Sequence, residues 1–317
     1  MARKNLGFLS APPKPTDYRF GSVTGIVGEI LQLDGQWDAS LPDYEPQYFS
    51  NKVGTQTIVY DTLGCVSFSA LNCIEALMMK KFNRVENYSD RFTAKISGTT
   101  DKGNYLYKVG DSIRKDGLVR ETTWPSNAVT RTEYYADIPV NIVGQAKLFL
   151  SEYKVQYEFV WDDPSALMEA LKYTPLQVAI CSYGLNEAGL IKSANEQANH
   201  AVMLYGFEPG QYWKIYDSYD NKYKRYTWDL KFQGVLKYNI EENVPMPNLN
   251  ENYLYQLIEG HGGFGLFVGG KLLVDDLAKI LASWAVRNNG RLEGTTGVLT
   301  LAEWNATPKY NLKLEPI

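Results

Sequence analysis

The chain has 317 residues, of which 44% are hydrophobic and 21% are charged, so a packed core is expected and disorder is not. A net charge of −4 without a basic run argues against a nucleic-acid partner. No apolar run is long enough to cross a bilayer, and the first residues lack the apolar core of a signal peptide. Three cysteines form no disulfide framework, because at least one stays unpaired. We expect a protein that is cytoplasmic when synthesised, with no membrane insertion.

The first part of the chain changes from an irregular arm to helices. Residues 1–50 are rich in Pro, Gly and Asp, and predict an extended arm with a first strand. Residues 65–82 carry an apolar stripe at helical spacing, and 105–116 carry another that ends before Gly117, a C-cap candidate. In the stretch "DDPSALMEALKY", Asp163 is placed as the N-cap of a third helix, with proline at its first position.

Strands follow the helices. Five stretches rich in β-branched and aromatic residues predict them: 176–183, 200–208, 212–219, 223–229 and 234–240. The sequence "EPGQ" at 208–211 predicts a hairpin turn between two of these strands. Helices that precede an antiparallel sheet indicate an α+β fold for residues 51–243.

A linker, "EENVPMPNLNEN", leads to a small α+β domain at 244–317. Within it, "GLFVGGKLLV" predicts a hairpin that turns at Gly269-Gly270. The stretch "DDLAKILASWAV" predicts a helix, and "TLAE" at 300–303 is a capping box that opens a short last helix.

Cys65 stands where a glycine turn runs into the first predicted helix. A cysteine nucleophile needs a thiolate, a base and a group that orients the base. The helix dipole and the unpaired amides of a helix start favour a thiolate and can hold an oxyanion. The only histidines are His200 and His261, so a base with an imidazole must be one of these two.

His200 begins one predicted strand, and Asp217 ends the next. The two residues flank the turn at 208–211 almost symmetrically. A hairpin is therefore expected to put them opposite each other, within hydrogen-bond reach when both point to one face. This arrangement makes His200 the base and Asp217 its orienting group.

Four segments in order resemble motifs of the papain-like cysteine peptidases. They are "CVSFSA" at Cys65, "GNYLYKVGDSIRKDGLVRETTWP", "NHAVMLYGF" at His200 and "YWKIYDSYD" at Asp217. The segment "WDASLP", ahead of the cysteine, is similar to the family's mature N-terminal strand. The interval from Cys65 to His200 fits the family's roughly 130–150 residues. The resemblance covers about 35–240, and the chain looks most like members encoded by phages or found in environmental sequence.

The resemblance implies a helical left half, a β-rich right half and a cleft between them. It also implies a Cys65–His200–Asp217 triad that cleaves a protein, a peptide or the peptide stem of a cell wall. In the family an oxyanion glutamine stands six residues before the cysteine, where this chain has Val59; Gln56 is the nearby candidate for that role. Aspartate replaces the family's asparagine at Asp217, and a tyrosine, Tyr219, replaces the tryptophan that shields it.

A second hypothesis treats the chain as a structural or docking protein that keeps the papain-like fold without efficient catalysis. The arm and the C-terminal domain would then contact other proteins of a phage particle, or virion, or of another assembly. Cys73 and Cys181 are interpreted as core residues, and His261 as a loop residue between glycines. No ligand spacing indicates a metal site, and no phosphate loop or other cofactor motif is found.

Overall fold

The computed structural model describes most of the first 243 residues and the strands of the remainder. The described ranges are 5–14, 17–22, 28–37, 48–53, 56–126, 130–220, 222–243, 254–257, 264–268, 271–275, 296–299 and 309–311. The chain divides into two compact units, Met1–Asn243 and Val244–Ile317, which are described separately. No described helix is long and apolar enough to cross a membrane.

The first unit combines helices with one large sheet. Its described helices are α1 (Cys65–Phe82), α2 (Asp90–Ile96), α3 (Leu106–Asp116), α4 (Arg131–Tyr134), α5 (Val140–Glu152) and α6 (Pro164–Ala170). A hairpin, β1 (Tyr48–Val53) with β2 (Gln56–Asp61), precedes α1. The remaining strands are β3 (Tyr153–Phe159), β4 (Leu176–Ile180), β5 (Gly184–Glu187), β6 (Leu190–Ser193), β7 (His200–Glu208), β8 (Tyr212–Asp217), β9 (Lys222–Thr227) and β10 (Val235–Glu242).

These eight later strands form a sheet in the order β3-β10-β4-β7-β8-β9-β6-β5. Neighbouring strands are antiparallel except β6 and β9, which run parallel. The α+β order predicted from the sequence is confirmed, as is the turn between β7 and β8. Gly210 in that turn has φ +71°, a conformation that glycine adopts without strain.

Helix α1 lies at the centre of the unit and packs against β7. Its residues from Cys65 to Met78 are buried on every side, which explains the scarcity of charged side chains in its first turns. The helix ends where Asn83 adopts a left-handed conformation and donates its backbone N–H to the Met78 carbonyl. Lys80 and Lys81 in the last turn complement the negative end of the helix dipole.

The predicted ends of two other helices are confirmed. Gly117 follows α3 with φ +81°, and its N–H donates to the Ile113 carbonyl at 3.2 Å. A Cβ at this glycine would lie 1.9 Å from the Ala146 carbonyl oxygen, so α5 packs too closely for any side chain. At the start of α6, the Asp163 carboxylate accepts hydrogen bonds from two backbone amides of the first turn.

The sequence patterns missed several elements of the first unit, which are the β1–β2 hairpin, α2, α4, α5, β3 and the short β5–β6 hairpin. The strands of the β5–β6 hairpin are four residues each, and β5 is exposed throughout, so they carry no apolar alternation. The arm is also more closely packed than predicted, because Phe8 lies buried in the main core.

The second unit contains a sheet in the order β14-β11-β12-β13-β15. Its strands are β11 (Leu254–Leu257), β12 (Phe264–Val268), β13 (Lys271–Asp275), β14 (Thr296–Leu299) and β15 (Lys309–Asn311). The antiparallel pairing of β12 with β13 confirms the predicted hairpin. The predicted helix beyond β13 and the capping box at 300–303 lie outside the described residues.

Candidate active site

Cys65 is the first residue of α1, and a tight turn delivers it there. Leu63 has φ +55°, an uncommon conformation for a branched side chain, and its N–H donates to the Asp61 carboxylate at 2.9 Å. The Gly64 N–H donates to Thr62 Oγ1 at 3.2 Å. The first amides of a helix have no partner within it, so the thiol sits beside donors that can hold an anion.

Two side chains from elsewhere in the unit hold this helix start in place. Gln177, buried on β4, donates through Nε2 to the Val66 carbonyl at 2.7 Å and to Ser69 Oγ at 3.0 Å. The Tyr135 hydroxyl donates to the Thr62 carbonyl in the turn before the cysteine. Hydrogen bonds therefore fix both the helix start that carries the nucleophile candidate and the turn before it.

His200 and Asp217 meet as the sequence predicts, at the start of β7 and the end of β8. Their contact joins Nε2 to Oδ1 at 2.7 Å. The predicted direct pairing is wrong, however, because the strands pair Met203 with Tyr216. When that register is continued to the open end, His200 faces Tyr219, and Asp217 is its diagonal neighbour. The rings of His200 and Tyr219 make an edge-to-face contact with centroids 6.0 Å apart.

A β-bulge between Leu204 and Gly206 makes this diagonal contact possible. Between the turn and the bulge, the register pairs Gly206 with Lys214; past the bulge, it is shifted by one residue. Without that extra residue, His200 and Asp217 would lie on opposite faces of the sheet, because side chains alternate along a strand. The bulge therefore brings the candidate base and its orienting group to one face.

Asp217 receives more hydrogen bonds than the sequence reasoning foresaw. Its Oδ1 also accepts from the Tyr219 N–H at 2.9 Å, and its Oδ2 accepts from Lys224 Nζ at 2.6 Å. Lys224 Nζ also lies 2.9 Å from Asp220 Oδ1. Burial acts to raise the pKa of Asp217, but His200 and Lys224 together hold it well below the usual range for a carboxyl. Asp217 is therefore a carboxylate at any physiological pH.

His200 is fully buried, which by itself lowers the pKa of an imidazole. The charge and hydrogen bond of Asp217, with a smaller contribution from the Cys65 thiol, outweigh burial and raise the pKa of His200 to about 10. Nε2 is engaged by Asp217, and Nδ1 has no hydrogen-bond partner among the described residues. Nδ1 is therefore the ring nitrogen available to the Cys65 thiol.

Neither reacting group is open to solvent, since Cys65 and His200 each expose 0% of their surface. Residues 5–10, the N-terminal segment, contact the chain next to both groups. The Leu6 N–H donates to the Asn199 carbonyl, one residue before the candidate base, at 2.9 Å. Gly7 (φ +115°) packs so closely on Leu63 that a Cβ there would lie 2.2 Å from the Leu63 carbonyl oxygen. The N-terminal segment thus contacts both the residue before the candidate base and the turn before the nucleophile candidate.

A cavity of about 540 Å³ adjoins the N-terminal segment. It is lined by Asn5, Phe8, Leu9, Ser10, Tyr183 and the loop 196–199 that leads into β7. The sequence assigned no substrate-binding residue; the lining of this cavity includes Asn199, the residue before the candidate base.

The remaining predicted residues do not join this cluster in the described structure. Gln56 lies on β2, where its backbone pairs with Val53; its side chain is outside the described residues, so its role stays a prediction. His261 also lies outside them. Cys73 is fully buried in α1, and burial raises its pKa well above the usual value. Cys181 is buried as well, with its Sγ 3.8 Å from the Tyr183 carbonyl. In the described part of the chain, no three acidic, cysteine or histidine side chains converge as metal ligands would.

Sequence reasoning missed Lys224, the bulge and the N-terminal segment. Lys224 could have been found, since it lies on the strand after Asp217 and β8 pairs antiparallel with β9. A register argument would have put it on the same face as the carboxylate. The bulge leaves no such mark in the sequence.

No protein-family profile matches the chain, and no curated protein matches it in sequence. Solved structures do resemble it. The bromelain protease from Ananas comosus superposes with a TM-score of 0.50 at 18% identity, covering 65% of this chain and 98% of bromelain. The Clostridial cysteine protease Cwp84, after propeptide cleavage, has a TM-score of 0.51 at 13% identity, covering 64% of this chain and 56% of that one. The matched part, about two thirds of this chain, has the fold of the papain-like cysteine proteases.

Proposed function

We propose that this chain is a cysteine hydrolase that cleaves peptide or amide bonds. Cys65 is the nucleophile, His200 the general base and acid, and Asp217 the group that orients the imidazole. The observation that carries the proposal is the 2.7 Å contact of His200 Nε2 with Asp217 on the ring that the Cys65 thiol also approaches. A buried Cys–His–carboxylate set at a helix start has each part that thiol catalysis needs.

In the proposed reaction, Nδ1 of His200 takes the proton of the Cys65 thiol, and the thiolate attacks the carbonyl carbon of the substrate. The tetrahedral oxyanion is held by the Cys65 N–H and by a second donor, for which Gln56 is the candidate. His200 then gives its proton to the leaving amine, which leaves an acyl-enzyme thioester. Water, deprotonated by His200, hydrolyses the thioester and returns the free thiol.

Asp217 keeps the imidazole in place through this cycle. Because it accepts the Nε2–H, the neutral ring carries its proton there, and Nδ1 is left with a lone pair for the thiol proton. Its negative charge also stabilises the imidazolium that forms. The substrate class is a protein, a peptide or the peptide stem of a cell wall.

The alternative function is a docking protein of a virion or other assembly that retains the fold. The specific observation in its favour is the complete burial of Cys65 and His200 beneath neighbouring chain. In that case the arm at 1–50 and the unit Val244–Ile317 would carry the contacts with partner proteins.

Labelling with an electrophilic peptide, such as a peptidyl epoxide, tests the proposed function. We expect covalent modification at Cys65 and at neither Cys73 nor Cys181, as read by peptide mass spectrometry. Cys65→Ala should abolish labelling and any hydrolysis of a casein or muropeptide substrate, while Cys73→Ala serves as the matched control. Hydrolysis that survives Cys65→Ala would refute the proposal.

A further inference from the structure

Lys224 contacts the proposed triad without being a member of it. Its ammonium lies 2.6 Å from Oδ2 of Asp217, on the side of the carboxylate away from His200. Asp217 is 4% exposed and the lysine side chain 21%, so the pair is shielded from solvent and screened little by salt. We propose, on the basis of the function proposed above, that Lys224 is a positioning residue that offsets part of the negative charge of Asp217 and holds its carboxylate against the imidazole of His200.

Charge balance in the buried cluster supports this inference. When the thiolate and imidazolium have formed, an asparagine beside them would leave the cluster neutral, whereas an aspartate alone would leave it with one excess negative charge. A buried excess charge is costly unless it is paired. With Lys224 included, the cluster contains an ammonium, a carboxylate, an imidazolium and a thiolate in that order. Positive and negative charges therefore alternate, and the net charge of the four groups is zero.

Asp220 does not remove this compensation, although it shares the ammonium at 2.9 Å. Its side chain is 36% exposed, so solvent screens its charge far more than that of Asp217. The tyrosines that feel the charge of Asp217 are Tyr216 and Tyr226, and burial raises the pKa of both, so they stay neutral. Lys224 is thus the cation that faces Asp217 among the described side chains.

The contact also fixes the rotation of the carboxylate. Oδ2 is held by Lys224, and Oδ1 accepts from both the Tyr219 amide and His200. A carboxylate held at both oxygens cannot turn away from the imidazole. Lys224 therefore contributes orientation as well as charge.

The variants move the titration of His200 in opposite directions. Removing the ammonium in Lys224→Met leaves the negative charge of Asp217 uncompensated, so both the imidazolium and the protonated thiol become more stable. We expect the pKa of His200, and the acid limb of Cys65 alkylation, to rise by about one pH unit. Asp217→Asn, with the lysine retained, should lower the pKa of His200. Lys224→Arg keeps the charge and should stay close to the wild type.

Histidine-selective ¹⁵N NMR measures the pKa of His200 directly, because the chain has two histidines and the variant His261→Gln identifies the signal of His200. The rate of Cys65 alkylation by iodoacetamide against pH, read by mass spectrometry, gives the second value. If the Met variant does not fold, Lys224→Gln takes its place. A pKa of His200 that falls or stays unchanged on removal of the ammonium would overturn the proposal, since a lysine that merely ties β8 to β9 would loosen Asp217 and lower that pKa.

The two proposals fail in different ways. Hydrolysis that survives Cys65→Ala would refute the proposed hydrolase, and the titration of His200 would still report on Lys224. A reactive Cys65 whose alkylation profile is the same in wild type and Lys224→Met would refute the role of Lys224 alone.

Discussion

His200 donates through Nε2 to Asp217 across 2.7 Å, and this single contact determines which ring nitrogen is left for Cys65. The carboxylate is buried, negative and held by two further donors, so the Nε2 proton has a permanent acceptor. Nδ1 is then the position at which a proton can be taken up and released. The pair thus determines the direction of proton transfer as well as the position of the ring.

The same pair makes the stability of the fold depend on pH. The pKa of His200 is raised to about 10, above the ordinary value near 6.5, so its contribution is complete below about pH 6.5 and is lost as the pH rises through 10. We expect His200→Gln to lower the free energy of unfolding by about 3 kcal/mol at pH 6. The difference from wild type should shrink steadily toward pH 10, as measured by thermal unfolding at a series of pH values.

Asp217 makes the stability of the fold depend on pH in the acidic range. Its lowered pKa means that its contribution to stability is present above about pH 4 and is lost as the pH falls through the lowered value.

For the His200→Gln variant, His261→Gln is the matched control and should leave the pH dependence of the wild type unchanged. A stability difference for His200→Gln that stays constant from pH 6 to 10 would contradict the ion pair.

Gln177 is predicted to support both stability and reactivity. Gln177→Leu removes the donors to Val66 and Ser69 at the start of α1, so a buried carbonyl loses its partner from the sheet. We expect a loss of about 2–3 kcal/mol in urea unfolding and slower alkylation of Cys65. Tyr238→Phe is the control, because it removes only the bond to Gln177 Oε1. It should cost about 1 kcal/mol and leave the alkylation rate as in the wild type; equal rates in both variants would refute a special role for Gln177.

The sequence predicted those parts of the fold whose signals are local. Helix α1 could be found from its apolar spacing, and α6 from the Asp163 cap, because side chains of a few consecutive turns determine both. Helix α5 was missed since only Ala146 and Phe149 of its residues are buried, and its other apolar side chains gave no clear stripe. Strand β3 follows it directly, at Tyr153, without a turn signal between them.

In the candidate site, too, local sequence patterns predict some features, and others depend on the tertiary fold. Cys65, His200 and Asp217 could be proposed from a helix start, a scarce residue type and a hairpin. Whether the last two share a face depends on one extra residue near Tyr205, which no periodicity reveals. The contact of Gly7 with Leu63 joins distant parts of the chain, so it depends on the tertiary fold rather than on any local pattern.

The N-terminal segment is predicted to control access to Cys65. Gly7→Val places a side chain where the Leu63 carbonyl lies 2.2 Å away, so the segment must leave the surface that it covers. We expect the rate of iodoacetamide alkylation at Cys65 to rise at least about tenfold, because the thiol no longer has to wait for a local opening that costs about 1.4 kcal/mol. Mass spectrometry of the Cys65 peptide over time measures the rate.

Gly21→Val is the matched control for backbone strain. Gly21 also has a positive φ, of +74°, but apart from its chain neighbours no atom of the described residues lies within 4 Å of the position of its Cβ. This variant carries the conformational penalty without the collision, and Cys65 should react at the wild-type rate. If Gly7→Val folds and alkylates no faster than Gly21→Val, then the N-terminal segment is not what shields the thiol, and other parts of the chain must bury Cys65.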